Sequence, residues 1–310
     1  MSVILIAGPT ASGKTDVSVT LAKKIDAEII CTDSMQVYKR MNIGTAKVTK
    51  EEMDGIKHYM IDKLEPNVNC SVAWFKDEVK KYINDINSRG KTAILVGGTG
   101  FYINAILFDT TFTQDTNKDY KQELTEFTNK FGKEALFEKL CEIDPESAGK
   151  IHPNNIKRII RAIEYFYQNN ETISSHNTSQ KYKRLADDSP YNYYYFVLDM
   201  KRELLYNRIN KRIDIMVKNG LVDEVRELYN DGLTEDMASI KAIGYKEFYP
   251  YFRGEITYET AIENLKINTR RFAKRQITWF KHQATPIFIP VDEYGFDKYE
   301  ISKFILENIK

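Results

Sequence analysis

Short apolar runs alternate with amphipathic stretches along the first third of the chain. Residues 3–7, 27–31 and 92–96 are apolar runs rich in β-branched side chains, which predicts three buried strands. Residues 15–25 and 71–90 instead place apolar side chains at helical spacing, and the second stretch ends in a basic residue and a glycine. Strands that alternate with helices through short turns predict a parallel sheet with helices on both faces.

The pattern changes near residue 110. Residues 110–117 are rich in Thr, Asp, Asn and Gln, which indicates a linker, and residues 118–168 are helical in pattern. A polar stretch at 169–190 precedes an aromatic, β-rich run at 193–198, after which helices surround one last short strand at 287–289. We therefore predict an α/β core interrupted by an all-helical insertion. The predicted core comprises residues 1–114 and 191–310, and the predicted insertion comprises residues 115–190.

Composition and charge exclude several classes of protein. The 310 residues are 42% hydrophobic and 29% charged, as in globular chains, and no run approaches the roughly 20 apolar residues of a membrane span. The three cysteines, Cys31, Cys70 and Cys141, form no CxxC pair, so we expect a reducing compartment, the cytoplasm, and no structural zinc. The net charge of +1 means that any contact with nucleic acid must come from local basic clusters.

A phosphate-binding motif follows the first predicted strand. The segment Gly-Pro-Thr-Ala-Ser-Gly-Lys-Thr matches GxxxxGK[ST] and leads into the first predicted helix. Its backbone N–H groups can turn inward, and the helix start adds the positive end of a dipole. Lys14 would contact the terminal phosphate, and the Thr15 hydroxyl would occupy one position on Mg²⁺. The motif predicts a P-loop NTPase-like sheet that binds a diphosphate or triphosphate through Gly8, Pro9, Thr10, Ala11, Ser12, Gly13, Lys14 and Thr15.

Two features typical of P-loop ATPases and GTPases are missing from the sequence. The strand at 92–96 ends in Gly-Gly-Thr instead of the aspartate that usually holds Mg²⁺. Asp199 follows the strand at 193–198, and we expect it to cap the next helix. The guanine-specifying Asn-Lys-x-Asp motif is also missing. These observations disfavour hydrolysis of ATP or GTP.

Asp33 directly follows the second predicted strand. Because ligands in an open parallel sheet bind beyond the carboxyl ends of the strands, Asp33 should lie near the phosphate site. The residue type alone leaves three roles open, namely a general base, a helix N-cap and a group that supports a metal ion.

A series of short motifs recurs in order along nearly the whole chain. After the P-loop come Asp33-Ser-Met-Gln-Val-Tyr38, Asn42-Ile-Gly-Thr-Ala-Lys47, Gly97-Gly-Thr-Gly-Phe-Tyr102, His152-Pro-Asn-Asn155 with Arg158 and Arg161, Gly244-Tyr245, and Arg271-Phe-Ala-Lys-Arg-Gln276. The ordered set resembles the tRNA dimethylallyltransferase (isopentenyl-tRNA transferase) family of bacterial type. It is far more specific than the P-loop alone.

The resemblance implies transfer of a dimethylallyl group from dimethylallyl diphosphate to N6 of adenine 37 in tRNAs whose codons begin with U. It assigns the general base to Asp33, since the adenine amine must lose a proton as the C–N bond forms. Departure of diphosphate from an allylic carbon requires positive charge, for which the resemblance points to Lys14, Mg²⁺ on Thr15, and Arg212. Thr99 would approach the acceptor base or the diphosphate from its glycine-rich turn.

Two basic segments are candidate RNA contacts. Residues 157–161 open a helix, and residues 266–281 carry six cations without an acid. On the second helix we expect Leu265, Phe272 and Trp279 to form the buried stripe.

The resemblance extends the RNA surface. It implies that residues 33–36 and 157–161 hold the splayed anticodon loop and that the insertion clamps the anticodon stem against the core. Lys121 departs from the pattern, because relatives commonly have arginine there. The predicted tRNA contacts are Asp33, Ser34, Met35, Gln36, Thr99, Lys121, Lys157, Arg158, Ile159, Ile160, Arg161, Arg270, Arg271, Lys274 and Arg275.

Two other functions fit parts of the sequence. A P-loop kinase of a small nucleotide or metabolite would use Arg208 and Arg212 in a lid, but it would have no use for the basic helix. A prenyltransferase of free adenine nucleotides would need no helical insertion. We expect a monomer with no obligate protein partner and no membrane association.

Overall fold

The chain forms two compact units in the computed structural model, which describes residues 2–110, 112, 119–283 and 285–309. The larger unit comprises Met1–Leu107 and Pro190–Lys310, and the smaller comprises Phe108–Ser189. The first division therefore falls after Leu107, earlier than the expected boundary at 114/115. Most of the predicted linker at 110–117 lies outside the described residues.

Within the described residues, the larger unit contains one six-stranded, all-parallel sheet in the order β3-β2-β4-β1-β5-β6. Its central strands are buried along almost their whole length, as expected when helices cover both faces. The predicted parallel sheet is thus confirmed. The strands are β1 Ser2–Ala7, β2 Ala27–Cys31, β3 His58–Tyr59, β4 Thr92–Gly97, β5 Asn192–Asp199 and β6 Ile287–Pro290.

Helices connect the strands and build the smaller unit. Of the described helices, none is both long and apolar enough to cross a membrane. They are α1 Lys14–Lys24, α2 Lys50–Met53, α3 Val72–Ser88, α4 Gly100–Leu107, α5 Tyr120–Ile143, α6 Pro145–Ala148, α7 Ile156–Asn169, α8 Ile173–Leu185, α9 Arg202–Lys218, α10 Leu221–Asn230, α11 Tyr249–Phe252, α12 Tyr258–Gln283 and α13 Lys298–Glu307.

Three local features differ from the sequence-based expectation. The polar stretch after residue 169 forms α8, which has no fully buried residue and therefore shows no apolar period. Strand β3 has only two residues, too few for a pattern. Asp199 does not cap α9, because the helix begins after Lys201 and Asp199 Oδ1 instead accepts a hydrogen bond from the Met200 N–H, 2.8 Å away.

The smaller unit has its own apolar core between α5 and α7. Leu124, Leu136, Leu140, Ile159 and Ile163 are its most buried members. Every element assigned among the described residues of this unit is a helix. The smaller unit is therefore helical, as the predicted insertion is, and it has a hydrophobic core of its own.

Candidate active site

The carboxyl ends of four parallel strands place the candidate residues. Residues 8–15 follow β1, Asp33 follows β2, Thr99 follows β4, and Asp199 ends β5. Because β2, β4, β1 and β5 are neighbours in that order, their carboxyl ends form one edge of the sheet. Residues far apart in sequence are thus collected at one site.

The loop after β1 has the backbone of a phosphate cradle. Gly8 has φ +150°, and a Cβ built on it would lie 2.6 Å from the Leu198 carbonyl oxygen, so only glycine fits beside β5. Ala11 has φ 64°, a left-handed conformation that is uncommon for a residue with a side chain. The loop enters α1 through Gly13, so its amides lie at a helix N-terminus.

Lys14 lies over this loop. Its Nζ donates to the carbonyl oxygens of Gly8 and Pro9 at 3.1 and 2.7 Å. Burial lowers the pKa of Lys14 to about 8, and the positive charge of Arg212 adds to that shift, while Asp33 opposes it. The ammonium is therefore held in the cradle, where an anion would stabilise it.

Asp33 is a half-buried carboxylate close to two cations, Lys14 and Arg212. Burial raises the pKa of Asp33, and the Met35 N–H, Lys14 and Arg212 act against that rise. The hydrogen bond from the Met35 N–H to Oδ1 is 2.9 Å long and fixes the orientation of the carboxyl group. A carboxylate with a raised pKa is a better proton acceptor than one in water, which suits a general base.

Helix α9 contributes two arginines with different contacts. Burial lowers the pKa of Arg212 from its ordinary value, and Asp33 is among the acids that counteract this. Arg208 Nε donates to the Ala11 carbonyl oxygen at 2.9 Å, and its guanidinium lies 4.6 Å from the centre of the Phe296 ring. Sequence reasoning chose Arg212, but it missed the contact of Arg208 with Ala11, a loop residue that has a positive φ.

The turn before α4 is tied to the cradle by a residue that sequence reasoning did not single out. Thr99 is half-buried, and its carbonyl oxygen accepts from the Tyr102 N–H at 3.0 Å. Gln276 of α12 accepts a hydrogen bond from the Thr10 N–H and donates one to the Gly98 carbonyl oxygen. Its signal in the sequence is a polar residue among the apolar residues of the buried face of α12.

The segment after Asp33 is held from inside the protein. Ser34 and Met35 are half-buried. Gln36 Nε2 donates to the carbonyl oxygens of Thr45 and Ala46, both at 3.2 Å, while Gln36 Oε1 accepts from the Cys31 thiol. The side-chain amide of Gln36 therefore fixes the conformation of the predicted acceptor segment.

Two of the quoted motifs meet at Glu224. Its carboxylate accepts from the N–H groups of Asn42, Ile43 and Gly44 and from the Tyr245 hydroxyl, at 2.7 to 3.1 Å. A Cβ on Gly44 would lie 2.5 Å from the Tyr245 ring, so the two segments are in direct contact. The carboxylate of Glu224 therefore holds these two motifs together.

Helix α12 presents part of the predicted RNA surface. Arg271, Lys274 and Arg275 are exposed, and together with Trp279 they line a shallow groove. Arg270 differs, because it is half-buried and binds Asn210 at 2.8 Å and Glu263 at 3.2 Å. The predicted buried stripe is partly wrong: Phe272 and Trp279 are only half-buried, and the buried line is Ala261, Leu265, Ala273, Gln276 and Phe280.

The smaller unit carries the remaining predicted RNA contacts. Lys157, Arg158 and Arg161 are exposed on the first turns of α7, and Lys121 is exposed on α5. The prediction that Ile159 and Ile160 contact tRNA is corrected by the structure. Their side chains are 0% and 8% exposed and form the core of this unit, so they have no surface to offer an RNA.

The donors available for Mg²⁺ are few. Among the described residues, no group of three or more His, Cys, Asp or Glu side chains could hold a metal ion by itself. Thr15 lies at the start of α1, beside Lys14. Mg²⁺ usually takes one or two protein ligands together with substrate phosphates and waters, and a lone hydroxyl in a phosphate cradle fits that mode.

Comparisons with known proteins match nearly the whole chain. The model of a family described as IPP transferase matches residues 36–283. A tRNA dimethylallyltransferase of Lachnoclostridium phytofermentans is 47% identical over 303 residues, which are 97% of this chain and 96% of that protein.

Two solved structures are similar in fold and in sequence. The full-length tRNA isopentenylpyrophosphate transferase of Bacillus halodurans is 44% identical with a TM-score of 0.72, and the match covers 99% of this chain and 96% of that one. A eukaryotic dimethylallyltransferase acting on tRNA is 29% identical with a TM-score of 0.79, over 93% of this chain and 73% of that one.

Proposed function

This chain belongs to the IPP transferase family, and we propose that it transfers a dimethylallyl group from dimethylallyl diphosphate to N6 of adenine 37 in tRNAs whose codons begin with U. The observation that carries the proposal is the cluster of Lys14, Asp33 and Arg212 at the phosphate cradle. It combines cations for a leaving diphosphate with a carboxylate for the proton of the attacking amine.

The leaving group sets the first requirement. As the C–O bond to diphosphate breaks, positive charge develops on the allylic carbon and negative charge grows on the diphosphate. Donors already aimed at that negative charge contribute the most to catalysis. Lys14, Arg212 and the amides at the start of α1 supply such donors, and their burial strengthens each interaction.

The acceptor sets the second requirement. The lone pair of the adenine amine is delocalised into the ring, so N6 attacks poorly unless its proton is removed as the C–N bond forms. Asp33 accepts that proton, and diphosphate leaves with the electron pair of the broken C–O bond. Because burial raises its pKa, Asp33 holds the proton more strongly than an exposed aspartate would.

We include Mg²⁺ in the proposal, with the Thr15 hydroxyl as its protein ligand. The ion would neutralise charge on the diphosphate oxygens. The residues of the chain keep separate tasks, since Lys14 and Arg212 bind and orient the diphosphate, and Thr99 approaches the acceptor or the diphosphate from its turn.

RNA binding is proposed for two surfaces, one on each unit. On the larger unit, Arg271, Lys274 and Arg275 form an exposed basic face. On the smaller unit, exposed cations at the start of α7 would contact the anticodon stem-loop. Relatives named for their action on tRNA support this assignment. Adenine 37 is stacked beside the anticodon, so the enzyme must extract it from the loop.

We also propose a cellular compartment and an oligomeric state for the protein. The three cysteines are free, as suits the reducing cytoplasm. We expect a monomer, because one chain provides both the cradle and the basic surfaces.

The experiment is incubation of the protein with labelled dimethylallyl diphosphate, Mg²⁺ and tRNA that has adenine at positions 36 and 37. Mass spectrometry of the nucleosides should then find N6-(dimethylallyl)adenosine without any hydrolysis of ATP. Equal alkylation of AMP would favour a prenyltransferase of free nucleotides, and phosphoryl transfer from ATP would favour a kinase.

A further inference from the structure

Gln276 joins two loops that belong to different parts of the proposed reaction. Its Oε1 accepts a hydrogen bond from the Thr10 N–H at 3.1 Å, within the phosphate cradle. Its Nε2 donates to the Gly98 carbonyl oxygen at 2.9 Å, in the turn that carries Thr99. The residue is 7% exposed, so water cannot easily replace either bond.

The chemistry of the two partners fixes the orientation of the amide. The Thr10 N–H can only donate and the Gly98 carbonyl can only accept, so a side chain with one acceptor and one donor is required. The contact is also close. A Cβ built on Gly98 would lie 2.1 Å from Gln276 Nε2 and 3.1 Å from the Gly8 carbonyl oxygen. Glycine at position 98 therefore allows the turn, the cradle and Gln276 to pack together.

We propose that Gln276 is a positioning residue that holds the diphosphate loop and the acceptor turn at a fixed distance and fastens both to α12. The inference rests on the proposed function, and of the two partners proposed there for Thr99 it takes the acceptor base. Arg271, Lys274 and Arg275 project from the same helix toward solvent. RNA that binds to this outer face is thus connected through one side chain to both reacting centres.

The consequence is a specific kinetic effect. If the hydrogen bonds from Gln276 to the two loops are lost, each substrate still contacts its own binding residues. The amine and the allylic carbon are then less well aligned. Misplacement of reacting groups by about 1 Å can cost on the order of 10²-fold in rate. The loss should therefore appear in kcat, with little change in the dissociation constants of either substrate.

Two substitutions of similar size separate positioning from packing. Gln276→Met keeps the volume and removes both hydrogen bonds. Gln276→Glu keeps the acceptor for Thr10 N–H but places a second acceptor against the Gly98 carbonyl, so the ionised carboxyl repels it. A protonated carboxyl donates to that carbonyl and restores both bonds. Burial next to an acceptor raises the pKa of the introduced carboxyl, which brings its protonation into an accessible range.

The measurement is kcat of each variant divided by kcat of the wild type, between about pH 8 and about pH 5.5. We expect Gln276→Met to be about 10²-fold slower at every pH. The Gln276→Glu ratio should be equally low at about pH 8 and should recover about tenfold or more as the pH falls. For Gln168→Glu, a matched change near the end of α7, the ratio of kcat to the wild-type kcat should stay near 1 at every pH.

A second measurement needs no activity. Hydrogen exchange of the peptide that contains Thr10 should quicken in Gln276→Met, while exchange in β5 and α13 stays unchanged. If the wild type transfers no dimethylallyl group to tRNA, the proposed function is wrong, and this exchange still tests the contact. A flat Gln276→Glu ratio, or wild-type kcat in Gln276→Met, would overturn the positioning role.

Discussion

Burial shifts the pKa values of Lys14 and Asp33 in opposite directions. Burial lowers the pKa of Lys14 and raises the pKa of Asp33, so each group is moved toward its neutral form. Each also stabilises the charge of the other. In the proposed reaction, an anionic diphosphate would add negative charge beside Lys14, and the acceptor amine would give up a proton to Asp33.

The role of Asp33 leads to the first prediction. Asp33→Asn should lower kcat by about 10²- to 10⁴-fold, because the amide cannot accept the proton, while the affinity for tRNA changes little. Wild-type kcat/KM should fall as the pH drops through the raised pKa of Asp33, and this acidic limb should be missing from the residual activity of the variant. Steady-state assays with binding titrations would measure both quantities.

Asp188→Asn provides the control, since Asp188 is exposed and lies outside the cluster. Full turnover in Asp33→Asn would remove Asp33 from the base role. Loss of tRNA affinity without loss of kcat would make it a binding residue instead.

Single residues differ in how far the sequence could predict them. Lys14 and Asp33 were predictable, because each follows a strand that the apolar pattern marks clearly. Gln276 and Arg208 act on the loop across 266 and 197 residues of sequence, and no local pattern reports such a contact. The prediction that Ile159 and Ile160 contact RNA was wrong. The whole basic segment 157–161 was assigned to the surface, although α7 turns these two side chains into the core.

At the scale of the element, α12 has one buried face and one exposed, basic face. Ala261, Leu265, Ala273, Gln276 and Phe280 are buried, and Arg271, Lys274 and Arg275 are exposed. Of the predicted buried stripe of Leu265, Phe272 and Trp279, only Leu265 lies on the observed buried face of α12. Ala273 is small and Gln276 is polar, so the apolar pattern of the sequence did not mark them as buried. The large aromatic residues therefore misled the assignment of the buried face.

The exposed face of α12 gives the second prediction. Arg271→Ala should weaken tRNA binding and reduce by about 1 the slope of log affinity against log salt concentration, because one phosphate contact is lost. Affinity for dimethylallyl diphosphate should not change. Filter binding or fluorescence titration at several salt concentrations would measure the slope.

Lys303→Ala on α13 is the matched control, since Lys303 is also an exposed cation. An unchanged salt slope in Arg271→Ala would show that this face does not meet the RNA backbone. Reduced affinity for the donor would place α12 at the diphosphate.

Strand β2 is anchored away from the site by an ion pair between the buried carboxylate of Glu28 and the exposed guanidinium of Arg89. Arg89 bonds to both carboxylate oxygens of Glu28 at 2.6 and 2.7 Å, and the Tyr59 hydroxyl donates to one of them. The bonds from Arg89 lower the pKa of Glu28 from 4.5 to about 2. The stability that this lowered pKa contributes is fully present above pH 4.5 and is lost as the pH falls toward 2.

The third prediction concerns that pair. Arg89→Leu should clearly lower the free energy of unfolding at neutral pH, because the buried carboxylate of Glu28 loses the partner that binds both of its oxygens. The difference from the wild type should narrow below pH 4.5, as Glu28 becomes protonated in the unfolded chain. Lys81→Leu, which removes an exposed pair with Glu78, should lower the free energy of unfolding much less. Urea unfolding at several pH values would measure this, and a difference independent of pH would contradict it.

At the scale of the whole molecule, each unit has its own core and its own basic surface. The division into a sheet-based and a helical unit could be predicted, because the change from alternating to purely helical pattern spans many residues. The boundary was less accurate, since polar linkers and polar helices such as α8 have similar composition. The arrangement of the proposed catalytic residues followed from sheet topology, which the alternation of strands and helices largely determines.

The helical unit gives the fourth prediction. Arg158→Ala should weaken binding of an isolated anticodon stem-loop by about three- to tenfold, because its exposed guanidinium is proposed to contact the RNA. Affinity for dimethylallyl diphosphate should remain that of the wild type. Lys150→Ala, a change at an exposed lysine paired with Glu146, is the control in the same unit. Unaltered stem-loop affinity in Arg158→Ala would exclude the start of α7 from the RNA surface.

Competition for the glycine-lined loop distinguishes a site for an isoprenoid diphosphate from a site for a nucleoside triphosphate. Calorimetric titration with a non-reactive thiolo analogue of dimethylallyl diphosphate, in the presence of Mg²⁺, should show one site that Lys14→Met abolishes and that a non-hydrolysable ATP analogue does not block. Tight binding of the ATP analogue at that loop, with no heat from the isoprenoid analogue, would contradict the account.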